Sequence, residues 1–318
     1  MDRRKFIGNT AASMVGLSFL SFADLAKNNK ISRDIGIQLY TLAKPLSADF
    51  EGTLKKVAEF GYKNVEFAGP YYFSPQEEIA NNPLIKMGLP GYGYYKHTPK
   101  EIKMMLDDLG LKSTSAHISD GTLNHNIDEA INAAKIIGQE YILSPMFIGQ
   151  SLDDYKLVAE SYNKFGEKCK SAGIKYGYHT HSHEFQDFNG LTAFEVLVNE
   201  TDPTSVFFEL DLFWATVAGV DPISLINKFP GRITLLHIKE LANELDKNYN
   251  TNETFLNMEI AMKLLKKQTI VGEGIIDFKS IIEGVANTSV EHLIIESDFP
   301  ENPMAFAEKS LINFKKMI

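Results

Sequence analysis

Six apolar segments of this chain end in residues that are costly to bury, of the types that carry acid/base and metal chemistry. They are Val65-Glu66-Phe67, Ala116-His117-Ile118, His179-Thr180-His181-Ser182-His183-Glu184, Glu209-Leu210-Asp211, His237-Ile238-Lys239-Glu240 and Glu296-Ser297-Asp298. An ionisable side chain inside an apolar strand is tolerated when it is paired, hydrogen-bonded or bound to a metal. One such residue alone reads as an ordinary ion-paired or hydrogen-bonded group; the same choice at the same end of six segments reads as a site. Glu184, Asp211, His237 and Glu296 together offer carboxylates and one imidazole, a donor set suited to one divalent ion such as Mn²⁺, Mg²⁺, Co²⁺ or Zn²⁺. Cys169 is the single cysteine, so neither a thiolate zinc site, an iron–sulfur cluster nor an internal disulfide is available. The donor from the fifth segment is open: Glu184 leads, but His179 stands at the segment's end and Glu184 five residues beyond it, so His179 or His181 is an alternative.

These ends must be held together by a scaffold. From Asp34 onward, short β-branched or aromatic runs alternate with longer amphipathic stretches, the pattern of repeated βα units on a parallel sheet. Eight strands are expected, over Ile35–Leu42, Asn64–Ala68, Ser113–Ile118, Tyr141–Phe147, Lys175–His179, Val206–Asp211, Ile233–Ile238 and His292–Glu296. Helices are expected over Phe50–Phe60, Pro99–Leu109, Ile127–Ile137, Leu152–Ala172, Ala193–Glu200, Pro222–Lys228, Phe278–Ala286 and Met304–Met317. Several stop at a glycine able to take the left-handed cap conformation, as in Phe60-Gly61 and Leu109-Gly110. Eight such units predict an α/β fold, a (β/α)₈ barrel spanning residues 32–318, whose chemistry sits at the C-terminal strand ends.

Two stretches break the rhythm and are expected as loop insertions at the mouth, residues 70–96, rich in tyrosine, and 241–269, with a helix over Glu253–Lys267. Asp120-Gly121-Thr122-Leu123-Asn124-His125 is expected as a polar loop after strand three. Trp214 and the tyrosines of the first insertion offer flat surfaces of the kind that stack on sugar rings.

The composition is that of an ordinary globular chain of 318 residues, 44% hydrophobic and 23% charged. A net charge of −9 leaves no surplus for neutralising phosphates, so no nucleic-acid partner is expected. Residues 1–26 differ from the rest. Asp2-Arg3-Arg4-Lys5-Phe6-Ile7 precedes a short apolar run from Ala11 to Phe22 and a small-x-small Ser21-Phe22-Ala23. The pattern resembles a twin-arginine export signal, implying the periplasm, and the run is too short for a permanent membrane anchor.

Several motifs together resemble the sugar phosphate isomerase/epimerase family with the xylose isomerase-like barrel. They are Gly177-Tyr178-His179-Thr180-His181-Ser182-His183-Glu184-Phe185, Asp211-Leu212-Phe213-Trp214, His237-Ile238-Lys239-Glu240, Gly272-Glu273-Gly274-Ile275-Ile276-Asp277-Phe278 and Glu296-Ser297-Asp298. Thr180 stands where that family usually has Asn, and Glu240 where it has Asp. The resemblance implies a metal held by one residue from each of strands five to eight, carried over to Glu184, Asp211, His237 and Glu296. It implies a small sugar substrate, with oligomerisation left open. A divalent ion beside a carbonyl and its neighbouring hydroxyl acidifies the α-proton, and a carboxylate removes it to give a metal-stabilised enediolate. The expected function is thus a divalent-metal-dependent isomerase or epimerase of a non-phosphorylated, keto or free sugar. From position, Glu296 is expected as ligand and base, His117 and His181 as acid/base or orienting groups, and Lys239 near the developing oxyanion. Glu66, His179, Trp214 and Asp298 are expected to contact substrate. Two alternatives remain, a 3-keto-glycoside lyase or dehydratase by the same first step, and a non-catalytic periplasmic sugar-binding protein. The endonuclease IV group shares the barrel but requires more ligands and a basic surface.

Overall fold

Runs of residues that suit a strand buried on both faces form the barrel staves: β1 Gly36–Gln38, β2 Asn64–Ala68, β3 Lys112–His117, β4 Tyr141–Ser144, β5 Lys175–His179, β6 Val206–Asp211, β7 Ile233–Ile238 and β8 His292–Ile295. They close in the order β1-β8-β7-β6-β5-β4-β3-β2, and every neighbouring pair is parallel. The structure, a computed structural model, describes residues 31–32, 34–89, 93–245 and 258–318. The export signal expected over residues 1–26 lies outside them.

The outer ring includes α1 Phe50–Phe60, α2 Pro99–Leu109, α3 Asp120–Ile137, α4 Leu152–Ser171, α5 Ala193–Glu200, α6 Leu212–Val217, α7 Pro222–Lys228, α8 Phe278–Val285 and α9 Pro303–Lys315. Local chemistry sets their ends. In α2, Thr98 and Glu101 form a reciprocal capping box, Pro99 opens the first turn, and Gly110 closes the helix at φ 65°. Leu54 and Val57 of α1, and Ile102 and Leu106 of α2, bury the apolar stripe against the strands.

Alternation along each strand sorts side chains between the helix layer and the interior. The lower interior is apolar, with Tyr141, Leu143, Leu235 and Ile294 packed together and Phe207 against them. Gly177 belongs to this layer because nothing larger fits: a Cβ there would stand 2.6 Å from Leu143 and 3.0 Å from the Phe207 carbonyl oxygen. Gly177→Ala is expected to destabilise by about 1–3 kcal/mol through overpacking, read as a lower urea midpoint at unchanged slope. A midpoint equal to the wild type would show that the plug yields.

Two expectations are corrected here. Asp120 to His125 is not a loop but the first turns of α3, with Ser119 as N-cap; a break at Asn126, φ −155° and ψ 55°, explains why the pattern reads as helical only beyond it. The first strand is also shorter than expected, because Leu39–Leu42 coil into a 3-10 turn. In the second insertion the described helix spans Met258–Leu265, and a two-stranded ribbon pairs Glu240–Leu241 with Gln268–Thr269.

Candidate metal centre

The upper interior reverses the chemistry of the lower one. Continuing each strand's inward positions by twos leads from Leu235 to His237, from Ile294 to Glu296, from Phe207 to Glu209 and Asp211, and from Gly177 to His179. His179, Asp211, His237 and Glu296 place one ligand atom each within 4.8 Å of one another. His237 Nδ1 lies 3.1 Å from Glu296 Oε2 and 3.9 Å from Asp211 Oδ2. The Asp211 carboxylate is divided: Oδ1 accepts the Trp214 backbone N–H at the start of α6, while Oδ2 is buried without a hydrogen-bond partner. Below this set, Glu209 Oε2 and Glu66 Oε1 lie 3.2 and 2.8 Å from His237 Nε2. His117 Nε2 approaches the same two carboxylates, at 2.8 Å from Glu209 and 3.2 Å from Glu66.

Charge is unbalanced. Five carboxylates, Glu66, Glu209, Asp211, Glu296 and Asp298, gather in this part of the barrel, and Lys239 Nζ lies 2.8 Å from Glu296, 2.5 Å from Asp298 and 3.5 Å from Asp211. Burial opposes ionisation of Glu296, yet Lys239 and His237 outweigh it and hold the carboxyl well below its usual range. Asp211 goes the other way: burial, helped by Glu296, pushes it up to about 7 against the pull of Lys239. Burial and the neighbouring His237 lower His179 to about 4, so its ring is neutral and retains a lone pair for a ligand. Burial opposes protonation of His237 also, but the ring of carboxylates, Glu209 foremost, holds its pKa well above normal. An excess of buried carboxylates, an Asp211 oxygen that accepts no hydrogen bond and a neutral imidazole on one point fit a divalent cation.

An ion and a proton would compete for Asp211. Metal affinity is therefore expected to fall as pH drops through about 7, with proton release on binding, read by calorimetric Zn²⁺ titration between about pH 8 and pH 6 in buffers of different ionisation enthalpy. A pH-independent affinity would mean that Asp211 is already ionised before the ion arrives.

The strand-five donor that the geometry brings to this point is His179, not Glu184. Glu184 is fully buried in the turn after β5, where it accepts from the Tyr178 hydroxyl and, at 2.8 Å, from the His181 backbone N–H, with His183 Nε2 at 3.1 Å. It clasps the loop, because a residue beyond the strand end no longer follows the inward alternation. Glu184→Ala is expected to leave metal content unchanged while costing about 1–3 kcal/mol, since Tyr178 and His183 lose their partner; loss of the metal with fold intact would return Glu184 to the ligand set.

The remaining expected residues fall into two groups. Lys239 and Asp298 flank Glu296, and Asp298 is fixed by Gln268, whose Oε1 accepts the Asp298 N–H at 2.8 Å and whose Nε2 donates to its carboxylate at 2.9 Å. His181 is half-buried, its ring 4.8 Å from His179 and 5.7 Å from Trp214 by centroids; desolvation, then the neighbouring His179, His183 and Lys239, lower its pKa strongly. Trp214, by contrast, is 2% exposed and packed with Phe213, Val217, Leu241 and Leu264, so its faces support His181 and Lys239 more than they offer a platform. In the first insertion, Tyr71 and Tyr94 are buried against Phe67 and Phe73. An aromatic surface is offered instead by exposed Phe299 with half-buried Tyr40 5.1 Å away by ring centroids, neither of which the motifs point to. Glu209 stands out at the end of its segment but carries no expected role, and Gln38 and Gln268 escape motif reading; Gln38 has a signal, the inward spacing by two from Gly36.

Residues 54–315 match the model of the xylose isomerase-like TIM barrel. This chain belongs to that family. A sugar phosphate isomerase/epimerase from Parabacteroides distasonis is similar at 25% identity and a TM-score of 0.67, over 87% of this chain and 92% of that one. The IOLI protein, solved with a bound zinc atom, shares the fold at 13% identity and a TM-score of 0.62, over 89% of this chain and 97% of that one. An inosose dehydratase of Clostridium tetani is 29% identical over 163 residues, 50% of this chain and 53% of that protein. The chain thus spans about half the length of the curated relatives it matches.

Proposed function

We propose that this protein is a divalent-metal-dependent enzyme that removes the proton α to a carbonyl in a non-phosphorylated sugar or ring polyol, leading to isomerisation or epimerisation. The observation that carries this reading is the convergence of His179, Asp211, His237 and Glu296 within 4.8 Å at four successive strand ends, with Asp211 Oδ2 lacking a hydrogen-bond partner. A divalent ion bound there supplies Lewis acidity to a carbonyl and its adjacent hydroxyl.

The chain's own groups account for the rest. Glu296 is kept ionised by Lys239 and His237 and is the most exposed of the four donors, suited to take the α-proton. Lys239, held by Glu296 and Asp298, offers N–H donors to oxygen that gains negative charge. His181, its pKa lowered strongly by desolvation, is uncharged at neutral pH and can relay a proton beside His179. Tyr40 and Phe299 give a ring a face to rest on. Periplasmic export, expected from Arg3 and Arg4, belongs to the same proposal and would be lost in an Arg3→Lys, Arg4→Lys pair, read by fractionation.

A second reading is elimination of a β-hydroxyl after the same proton abstraction, and the similarity to inosose dehydratases favours it. One experiment tests both: the Mn²⁺- or Zn²⁺-loaded protein is incubated in deuterated water with free ketohexoses, 3-keto sugars and inosose, and followed by NMR. Deuterium at the α-carbon with an isomer supports the first reading, and an unsaturated or diketo product supports the second. Binding with no exchange for any of them would leave a sugar-binding protein and overturn the enzyme.

A further inference from the structure

Beneath the four converging donors lies a second buried layer that the proposed chemistry does not use. Its centre is Glu209, fully buried on β6. A single oxygen, Oε2, faces three rings: His117 Nε2 at 2.8 Å, His179 Nδ1 at 2.9 Å and His237 Nε2 at 3.2 Å. Glu66 completes the layer, receiving Gln38 Nε2 at 2.6 Å, the Ser115 hydroxyl and His237 Nε2 at 2.8 Å. Each imidazole has two nitrogens, and these contacts occupy Nδ1 of His179 but Nε2 of His237. His179 gives Nδ1 to Glu209 and leaves Nε2; His237 gives Nε2 to Glu209 and Glu66 and leaves Nδ1, which faces Glu296 and Asp211.

We propose that Glu209 is a positioning residue that fixes opposite tautomers of His179 and His237, so that Nε2 of the first and Nδ1 of the second are presented to the ion. The inference rests on the upper cluster being the ion site. A carboxylate that accepts the far N–H of a ligating imidazole sets its orientation and raises its basicity, and losing such a partner weakens metal binding about 10–100-fold. Here one carboxylate on β6 serves two ligands, one from each of the strands that flank it, β5 and β7. His117, His179, Glu209 and His237 also lie within 4.8 Å of one another and form a second candidate ion set. Filling it together with the upper set would require both nitrogens of both His179 and His237. The hydrogen-bonded layer therefore reads as the support of one ion and not as the seat of another.

The test uses the full chain. With ¹⁵N-histidine and Zn²⁺, NMR is expected to show His179 protonated at Nδ1 and metal-bound at Nε2, and His237 protonated at Nε2 and metal-bound at Nδ1. In parallel, Glu209→Gln replaces an acceptor for several N–H groups by an amide that accepts through one oxygen and donates through nitrogen. It is expected to lower Co²⁺ affinity about 10–100-fold and to alter the visible Co²⁺ spectrum, with the wild-type circular dichroism retained. If that variant does not fold, the tautomers in the wild type decide. Metal on the same nitrogen of both rings, or Glu209→Gln binding Co²⁺ with wild-type affinity and spectrum, overturns the proposal. Glu296→Gln separates the two levels: if it binds Co²⁺ as the wild type does, or the wild type binds none, the ion site fails and the positioning role falls with it.

Discussion

Glu296→Gln is expected to slow α-proton exchange by at least about 10³-fold, because one change removes a ligand and the base together. Glu296 is 6% exposed, accepts from Lys239 at 2.8 Å, and lies 3.1 Å from His237 Nδ1. Glutamine keeps the shape and the contact with Lys239 but cannot hold a proton at neutral pH. Exchange rates of saturated, metal-loaded protein in deuterated water give the readout, with metal content measured on the same sample. A variant within about tenfold of the wild type would move the base elsewhere, with His181 as the next group to replace.

The second large effect is expected at Lys239. Lys239→Met keeps most of the apolar stem but leaves Glu296, Asp298 and Asp211 without their fixed cation. Removing one partner from a buried ionic group typically costs about 3–5 kcal/mol, here read as a lower melting temperature in the presence of a chelator. A divalent ion at the adjacent donors restores positive charge, so saturating Zn²⁺ is expected to recover part of the loss, as linkage requires of a ligand that binds the folded state. Turnover is expected to stay down about 10²-fold even then, since the donors to the developing oxyanion are gone. Equal melting temperatures for the two proteins, with and without chelator, would show that Lys239 does not neutralise this cluster.

The barrel itself was legible because its signals are local. Asn64–Ala68, Lys175–His179, Val206–Asp211 and Ile233–Ile238 are bounded by turn residues, and their strand limits follow directly. The helix starting at Asp120 was hidden by the Asn126 break, since amphipathic spacing cannot be carried across a residue outside helical geometry. At the site, Asp211, His237 and Glu296 were legible as costly residues at strand ends. The fifth strand was harder to read: three histidines and one glutamate crowd positions 179–184, and only the strand's inward alternation tells His179, which shares the face of Gly177, from Glu184 in the following turn. Trp214 and Tyr71 show the opposite failure. Aromatic type suggests stacking, but whether a ring faces the mouth or the packing between layers depends on tertiary contacts absent from any single motif. Gln268 could not be found from sequence at all, because the ribbon that brings it to Asp298 is set by the pairing of Leu241 with Gln268 across the long insertion.

His179, Asp211, His237 and Glu296 are proposed to hold one divalent ion. Anomalous diffraction from crystals of the full chain grown with Mn²⁺ or Zn²⁺ tests it most directly. A single strong peak is expected among those four side chains, coordinated by His179 and not by Glu184. A peak beside Glu184 and His183, or no peak at the barrel mouth, would contradict it.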